Sequence, residues 1–223
     1  MGNPAKIEAV KDLMKVEPAD ILMLQETKIE GEALLEISKY KWQKNTGKAI
    51  NARGTSGGIE TLWKAEQFSL VNSYNTQHWS FIELKHTASK LTIALFNLYV
   101  PTLHNEKKDC WKTLNEFLEQ NSPSNIIIAG DLNLVMNGKE KRGGRPSKDQ
   151  MIFVVEDIIQ QWDLIDFKPS KGLYTWTNNR MGEEHISARL DRFLVQSTLL
   201  LERKMISTAI LPKLTSDHKP ILL

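Results

Sequence analysis

Two hydrophobic periods alternate along the chain, and each change of period marks an element. Ile7, Val10 and Met14 recur at helical spacing, with Asn3 placed to cap and Pro4 in the first turn, so a helix is predicted that ends near Glu17-Pro18. Ile21-Leu22-Met23-Leu24 is too short and too uniformly apolar for a surface helix; it reads as a buried strand whose end presents Glu26. A short helix is expected from Glu32 to Ser38. Between Tyr40 and Val100 the spacing shortens. Strands are predicted over Lys41 to Asn45, Gly58 to Lys64, Phe68 to Ser73, Trp79 to Lys85 and Leu91 to Val100, with Gly, Asn and polar breaks between them. Such a run predicts meandering antiparallel strands.

Helical spacing returns from about Asn105 to Gln120, with Trp111, Leu114 and Leu118 on one side. Ile126-Ile127-Ile128-Ala129 forms another buried strand, stopped by Gly130-Asp131, so Asp131 sits at a strand exit. After a basic, glycine-containing loop from Lys139 to Lys148, the residues Ile152, Val155, Ile159 and Trp162 keep the spacing of an amphipathic helix. Tyr174 to Asn178 and Ser187 to Val195 are expected to pair as strands across the polar stretch Asn179 to His185, and Ile221-Leu222-Leu223 begins a last strand. Mixed strands with so few helices between them favour two packed sheets with helices outside, a layered α/β sandwich, over a doubly wound parallel sheet. With no internal repeat, low-complexity tract or Pro/Ser-rich linker, residues 1–223 read as a single domain.

Composition narrows the function classes. The 29 Lys plus Arg against 27 Asp plus Glu leave a formal charge of +2, which excludes the global basic field of a DNA-coating protein. Any nucleic-acid contact must come from local patches. A lone cysteine, Cys110, excludes an internal disulfide, and its place in an apolar-periodic helix makes it a buried, unreactive thiol of a protein from a reducing compartment. The first residues lack the pattern of a signal peptide, and no apolar stretch approaches the roughly 20 residues of a membrane span, so an intracellular protein without membrane partners is expected.

The candidate chemistry lies in four polar clusters that follow apolar runs: Gln25-Glu26-Thr27, Gly130-Asp131-Leu132-Asn133, Arg189-Leu190-Asp191 and Ser216-Asp217-His218. Carboxylates that each follow a buried strand can be delivered to one rim of a sheet, where acids distant in sequence converge on a hydrated cation and a phosphate. Glu26 is a suitable hard ligand for Mg²⁺, or a solvated strand end. Asp131 and Asn133 would point to the same side if the segment stays extended, offering an acceptor for a water proton and an amide donor for a phosphate oxygen; the other reading is an Asx turn. Asp191, in a strand-like run, needs a partner, and His218 is the candidate. A His–Asp bond would fix the imidazole tautomer and raise its proton affinity, equipping it as a general base or as a cation facing phosphate.

In order and wording, these clusters, with Gln25-Glu26-Thr27-Lys28 and Asn97-Leu98-Tyr99-Val100-Pro101, resemble the successive signatures of the endonuclease/exonuclease/phosphatase superfamily. Ser56-Gly57-Gly58-Ile59, Glu140-Lys141-Arg142-Gly143-Gly144 and Tyr174-Thr175-Trp176-Thr177 resemble, within it, the apurinic-type endonuclease domain of plant non-LTR (LINE-like) retrotransposons. The resemblance implies a four-layered, DNase I-like α/β sandwich, two mixed sheets face to face with helices outside. It also implies a divalent metal (Mg²⁺, with Mn²⁺ as a substitute) and DNA as the partner, nicked by water attack to leave a 3′-hydroxyl. It makes Glu26 the metal ligand, Tyr99 and Asn133 contacts to the scissile phosphate, and Asp131 the residue that orients or deprotonates the water. Asp191 then holds His218, and Asp217 helps to place the metal or the histidine. Asp131 and His218 both stand as candidate bases. Thr175 and Trp176 match positions near a DNA-facing rim, while Gly57 and Gly58 serve backbone geometry. Lys139, Lys141, Arg142, Arg145 and Lys148 form a basic cluster that either meets phosphates or is merely solvated.

One departure stands at the front. Family members begin with a strand ending in an Asn, followed by a loop much like Gly2-Asn3-Pro4, whereas here Met1 starts inside that loop. The expectation is an N-terminally truncated domain. Beside the nicking endonuclease stand two alternatives, a catalytically silent retroelement fragment and a phosphatase of the same superfamily. A monomer is expected, with a fused or downstream reverse transcriptase in the parent element. Nuclear action fits such an element, although Lys141-Arg142 is too short for an import signal.

Overall fold

The computed structural model describes residues 4–29, 45–53, 56–145, 148–201 and 206–223. The cap at Asn3, the helix from Glu32 to Ser38 and the strand beginning at Lys41 fall on residues outside that set. Two compact units emerge, Met1–Tyr99 with Ile127–Gly130, and Val100–Ile126 with Asp131–Leu223.

In the first unit, helix α1 (Pro4–Val16) leads to strand β1 (Ile21–Gln25), which pairs antiparallel with β3 (Ser56–Lys64); β3 in turn pairs with β2 (Asn45–Arg53). The uniformly apolar run of β1 has a direct cause. Ile21 and Met23 pack toward Trp63, Ile82, Leu84 and Leu95, while the alternate residues Leu22 and Leu24 pack with Leu62 against Ile7, Val10 and Met14 of α1. The strand is covered on both faces, so alternation would have put a polar residue into a core. The second sheet of this unit contains β4 (Phe68–Asn75), β5 (Trp79–His86), β6 (Thr92–Tyr99) and β7 (Ile126–Asp131) in that order, with β4, β5 and β6 antiparallel to one another. Gly130 sits against β6 so closely that a Cβ there would lie 2.1 Å from the Leu98 carbonyl oxygen, and its φ is +131°. Only glycine permits that approach.

Asn97 of β6, 1 % exposed, ties the two sheets of this unit together. Its Nδ2 donates to the Glu60 carbonyl at 3.0 Å and to Thr61 Oγ1 at 3.1 Å, and its Oδ1 accepts from Gln25 Nε2 at 2.6 Å. The asparagine and glutamine of the sequence signatures are therefore structural partners that hold the end of β1.

The second unit holds α2 (His104–Asn121), β8 (Lys141–Arg142), α3 (Ile152–Gln161), β9 (Leu164–Asp166), β10 (Trp176–Thr177), β11 (Ser187–Ala188), β12 (Asp191–Gln196), α4 (Thr198–Leu201), β13 (Ala209–Ile210) and β14 (Ile221–Leu222). Strand β11 lies between β10 and β8, β12 pairs with β9, and β13 with β14, all antiparallel. The predicted stripe of α2 is buried, with Trp111, Leu114 and Leu118 at 0 % exposure. Cys110 beside it is buried too, and burial pushes its thiol up to about 12, as an inert thiol requires.

The structure departs from the sequence expectations in the short or polar strands. β2 extends through Asn45–Arg53, where only its first residue was expected in a strand, because its polar side chains hide a strand that pairing with β3 imposes. The expected strand from Ser187 to Val195 is broken at Arg189-Leu190 into β11 and β12. Part of the basic loop is the strand β8, whose partner β11 lies more than forty residues on.

Candidate active site

Glu26 and Tyr99 meet in the first unit. The chain leaves β1 through a left-handed turn, with φ of 50° at Glu26 and 57° at Lys28, an uncommon conformation for non-glycine residues. Two backbone bonds hold it, Thr27 N–H to the Gly58 carbonyl and Lys28 N–H to the Gly57 carbonyl, each 3.1 Å. Gly58 must lack a side chain, since a Cβ would lie 2.2 Å from Thr27 Oγ1. The expectation that these glycines serve backbone geometry agrees with this arrangement. Glu26 is thus turned back so that Oε1 accepts a short hydrogen bond from the Tyr99 hydroxyl, while Oε2 lies 3.5 Å from Lys28 Nζ.

Asp131, Asn133, Asp191, Asp217 and His218 belong to the second unit. Asp131 ends β7, and its carbonyl accepts Val100 N–H at 2.9 Å. The following segment does not stay extended: Asn133 is left-handed, with φ of 46°. Its backbone N–H donates to Asp131 Oδ1 at 2.9 Å, the Asx turn, and its side-chain Nδ2 donates to Asp131 Oδ2 at 3.1 Å and to the Val100 carbonyl at 2.7 Å. Both amide hydrogens are used inside the protein. In this geometry Asn133 brackets the Asp131 carboxylate, in place of the expected donation to a phosphate.

His218 Nδ1 bonds Asp191 Oδ2 at 2.9 Å, and its Nε2 lies 3.8 Å from Asp131 Oδ2. Ligand atoms of Asp131, Asp191 and His218 all fall within 4.8 Å of one another. Burial works most strongly against the imidazolium. The Asp191 hydrogen bond and charge, followed by the charges of Asp131 and Asp217, together outweigh it and raise His218 to about 9. Asp217 is exposed and accepts from Trp176 Nε1 at 3.0 Å. Burial again opposes its charge, but the Trp176 bond, its own backbone N–H, the His218 charge and Ser216 hold the carboxyl below its ordinary value.

A pH dependence of stability follows. His218 titrates higher in the folded protein than its ordinary 6.5, so its contribution is fully present below pH 6.5 and is lost as pH rises through about 9. Urea unfolding of the metal-free protein is expected to lose up to about 3 kcal/mol across that window, and Asp191→Asn should flatten most of the change. An unchanged slope in the Asp191→Asn protein would contradict the assignment.

The four residues expected to meet substrate differ in placement. Trp176 is half-buried with its indole N–H on Asp217, and Arg142 and Arg145 are exposed. Thr175, by contrast, is 0 % exposed, so the expected rim contact is corrected to an interior position. Its hydroxyl oxygen accepts from the backbone N–H groups of Leu190 and Asp191.

Two supporting groups escaped the sequence reading. Lys107 of α2, 5 % exposed, donates through Nζ to the Asn133 carbonyl at 2.9 Å and to Asp149 Oδ2 at 2.6 Å. Its spacing of four residues before Trp111, on the apolar stripe, was the available signal. Glu140 accepts from Arg189 and Arg192, which lie on either side of Asp191 in sequence, and both arginines also bond Asp166. Glu140 and Arg189 each open a motif quoted above, but no local pattern announces their pairing with each other and with Asp166, which lie far apart in the sequence.

The profile of the endonuclease/exonuclease/phosphatase family matches residues 1–218. The chain belongs to that family. Within it, the chain is 25 % identical over 231 residues to the transposon TX1 uncharacterized 149 kDa protein of Xenopus laevis, covering 99 % of this chain and 17 % of that one. This endonuclease/exonuclease/phosphatase chain therefore spans about a sixth of that relative. Among solved structures, the AP endonuclease LMAP of Leishmania major superposes with a TM-score of 0.76 at 17 % identity, over 96 % of this chain and 80 % of that one. The endonuclease domain of TRAS1, a telomere-specific non-LTR retrotransposon, gives 0.72 at 14 % identity, over 98 % and 91 %. Both likenesses show the family's DNase I-like α/β fold. No helix among the described residues is long and apolar enough to cross a membrane.

Proposed function

We propose that the chain is a divalent-metal-dependent phosphodiesterase that nicks DNA, as the endonuclease of a LINE-like retroelement. The observation that carries this reading is the line Asp131, His218, Asp191, with His218 bonded to one carboxylate at 2.9 Å and facing the other at 3.8 Å. His218 stays protonated through neutral pH and offers Nε2–H to a phosphate oxygen, which leaves Asp131 to accept the proton of the attacking water. Water adds to phosphorus, the bond to the 3′ oxygen breaks, and that oxygen leaves as a 3′-hydroxyl after taking up a proton. Asn133 keeps the Asp131 carboxylate oriented, and Asp191 fixes the histidine tautomer.

The carboxylates of Asp131 and Asp191, with Asp217 adjacent in sequence to His218, would suit a hard divalent ion such as Mg²⁺ or Mn²⁺, whereas a protonated His218 has no lone pair to offer and would face the phosphate instead. When bound, such an ion offsets phosphate charge and favours ionisation of water. Arg142 and Arg145, exposed on the basic loop, are the proposed phosphate contacts outside the reacting group, and Trp176 is a proposed packing surface for sugar or base.

The purified protein is expected to convert supercoiled plasmid to the open circle with Mg²⁺ or Mn²⁺, to stop with EDTA, and to leave ends that a polymerase extends directly. Phosphate release from inositol phosphates with no plasmid nicking would favour the phosphatase branch and overturn the nuclease reading.

A further inference from the structure

We infer that Thr175 is the positioning residue of the Asp191–His218 pair and makes no contact with DNA. Four bonds converge on this one buried residue. Its Oγ1 accepts Leu190 N–H at 3.0 Å and Asp191 N–H at 3.1 Å, so a single hydroxyl oxygen satisfies both backbone donors where β11 breaks before β12 begins. Its own N–H donates to the Ala188 carbonyl at 3.0 Å, and its carbonyl accepts Lys219 N–H at 2.7 Å. The side chain therefore fixes the backbone of the acid, and the main chain fixes the residue after the histidine. The isolated bridge between Trp176 and His218 continues the same register.

The physical logic is one of satisfaction. Breaking a strand at Arg189-Leu190 frees consecutive N–H groups from the ladder, and in a buried position each needs an acceptor. A hydroxyl oxygen has two lone pairs and can serve both, which neither a valine nor an alanine can do. Without it, those amides would seek other partners and Asp191 Oδ2 would leave its 2.9 Å contact with His218 Nδ1. Misplacement of this kind affects turnover more than binding, because the displaced group acts on the reacting phosphate.

The activity arm of the test rests on the proposed nicking reaction. Thr175→Val, which keeps the volume and deletes the acceptor, is expected to lower kcat roughly 10- to 100-fold, while Thr175→Ser stays within about threefold. KM for plasmid should change less than about twofold in both. In an Asp191→Asn background, Thr175→Val should cost nothing further. Amide hydrogen exchange supplies the arm that needs no activity: protection at Leu190 and Asp191 should fall in Thr175→Val and persist in Thr175→Ser. Thr175→Ala, which removes the same acceptor with less bulk, is measured alongside so that the answer does not hang on one variant folding. A raised KM at unchanged kcat would make Thr175 a DNA contact. Equal loss with and without Asp191, or unchanged exchange in a folded Thr175→Val protein, would likewise overturn the inference. A wild-type protein that fails to nick refutes the proposed function instead, and the exchange arm still decides the role of Thr175.

Discussion

Replacing Asp131 or His218 by alanine is expected to slow plasmid nicking by about 10²- to 10⁴-fold, the range general acid–base groups supply. The loss should appear in kcat, with little change in KM, because neither side chain belongs to the basic loop that is proposed to hold the phosphate backbone. Asp131 is bracketed on both carboxylate oxygens by Asn133, and His218 is anchored through Nδ1 to Asp191, so each is held in the orientation the proposed reaction needs. The two lie 3.8 Å apart and are proposed to act as a unit. Removing both should therefore cost little more than removing one, as for other catalytic groups that act together. Nicking by either alanine variant within tenfold of wild type, with contaminating nuclease excluded, would end the assignment.

The second large effect concerns stability. Glu140 is 2 % exposed and accepts from Arg189 at 2.9 Å and Arg192 at 2.6 and 3.1 Å, with Met136 N–H a further donor at 3.1 Å. Arg189 and Arg192, each 1 % exposed, share Asp166 as a second carboxylate. The group also holds the main chain: Arg189 N–H meets the Glu140 carbonyl, and guanidinium hydrogens reach the Phe167 and Leu134 carbonyls. Taking one charge out of such a set leaves its partners buried and unpaired, which costs about 3–5 kcal/mol. That is comparable with the roughly 5–15 kcal/mol that holds a typical domain together. Glu140→Gln and Arg189→Met are accordingly expected to lower the urea midpoint severely. A loss below about 1 kcal/mol would show that the network relaxes or admits water, contrary to its burial.

The same carboxylate predicts an acid limit. Burial raises the Glu140 carboxyl, but Arg192 and then Arg189, by hydrogen bond and charge, bring it down to about 2 from an ordinary 4.5. Its contribution is thus present above pH 4.5 and disappears as pH falls through about 2.

The legible part of the fold consisted of elements with a strong period and burial on a broad face. α1, β1, α2, β7 and α3 were all apparent because apolar spacing is imposed locally, residue by residue. The strands β8, β9 and β13, each two or three residues long, have no room for a period and exist only because partners elsewhere in the sequence arrive beside them, whereas the pairing of β10 with β11 was expected. The same division runs through the site. Asp131, Asp191 and His218 stood out through their place after apolar runs, and the His218–Asp191 bond was expected. The left-handed turn at Asn133 was not, because an asparagine two residues after an acid reads equally as extended strand or as Asx turn.

Hydrophobic period and motif order are properties of the linear chain, so the chemical groups the protein owns, and their mounting along buried strands and helices, are written in its residues alone. What those groups touch is a matter of the folded packing. Thr175 turned inward to carry two amides, Lys107 was drawn under Asn133, and Glu140 was surrounded by Arg189 and Arg192. The reason is energetic. A buried polar group must find a partner, and the partner is chosen by the packing that brings distant segments together rather than by its neighbours in the chain.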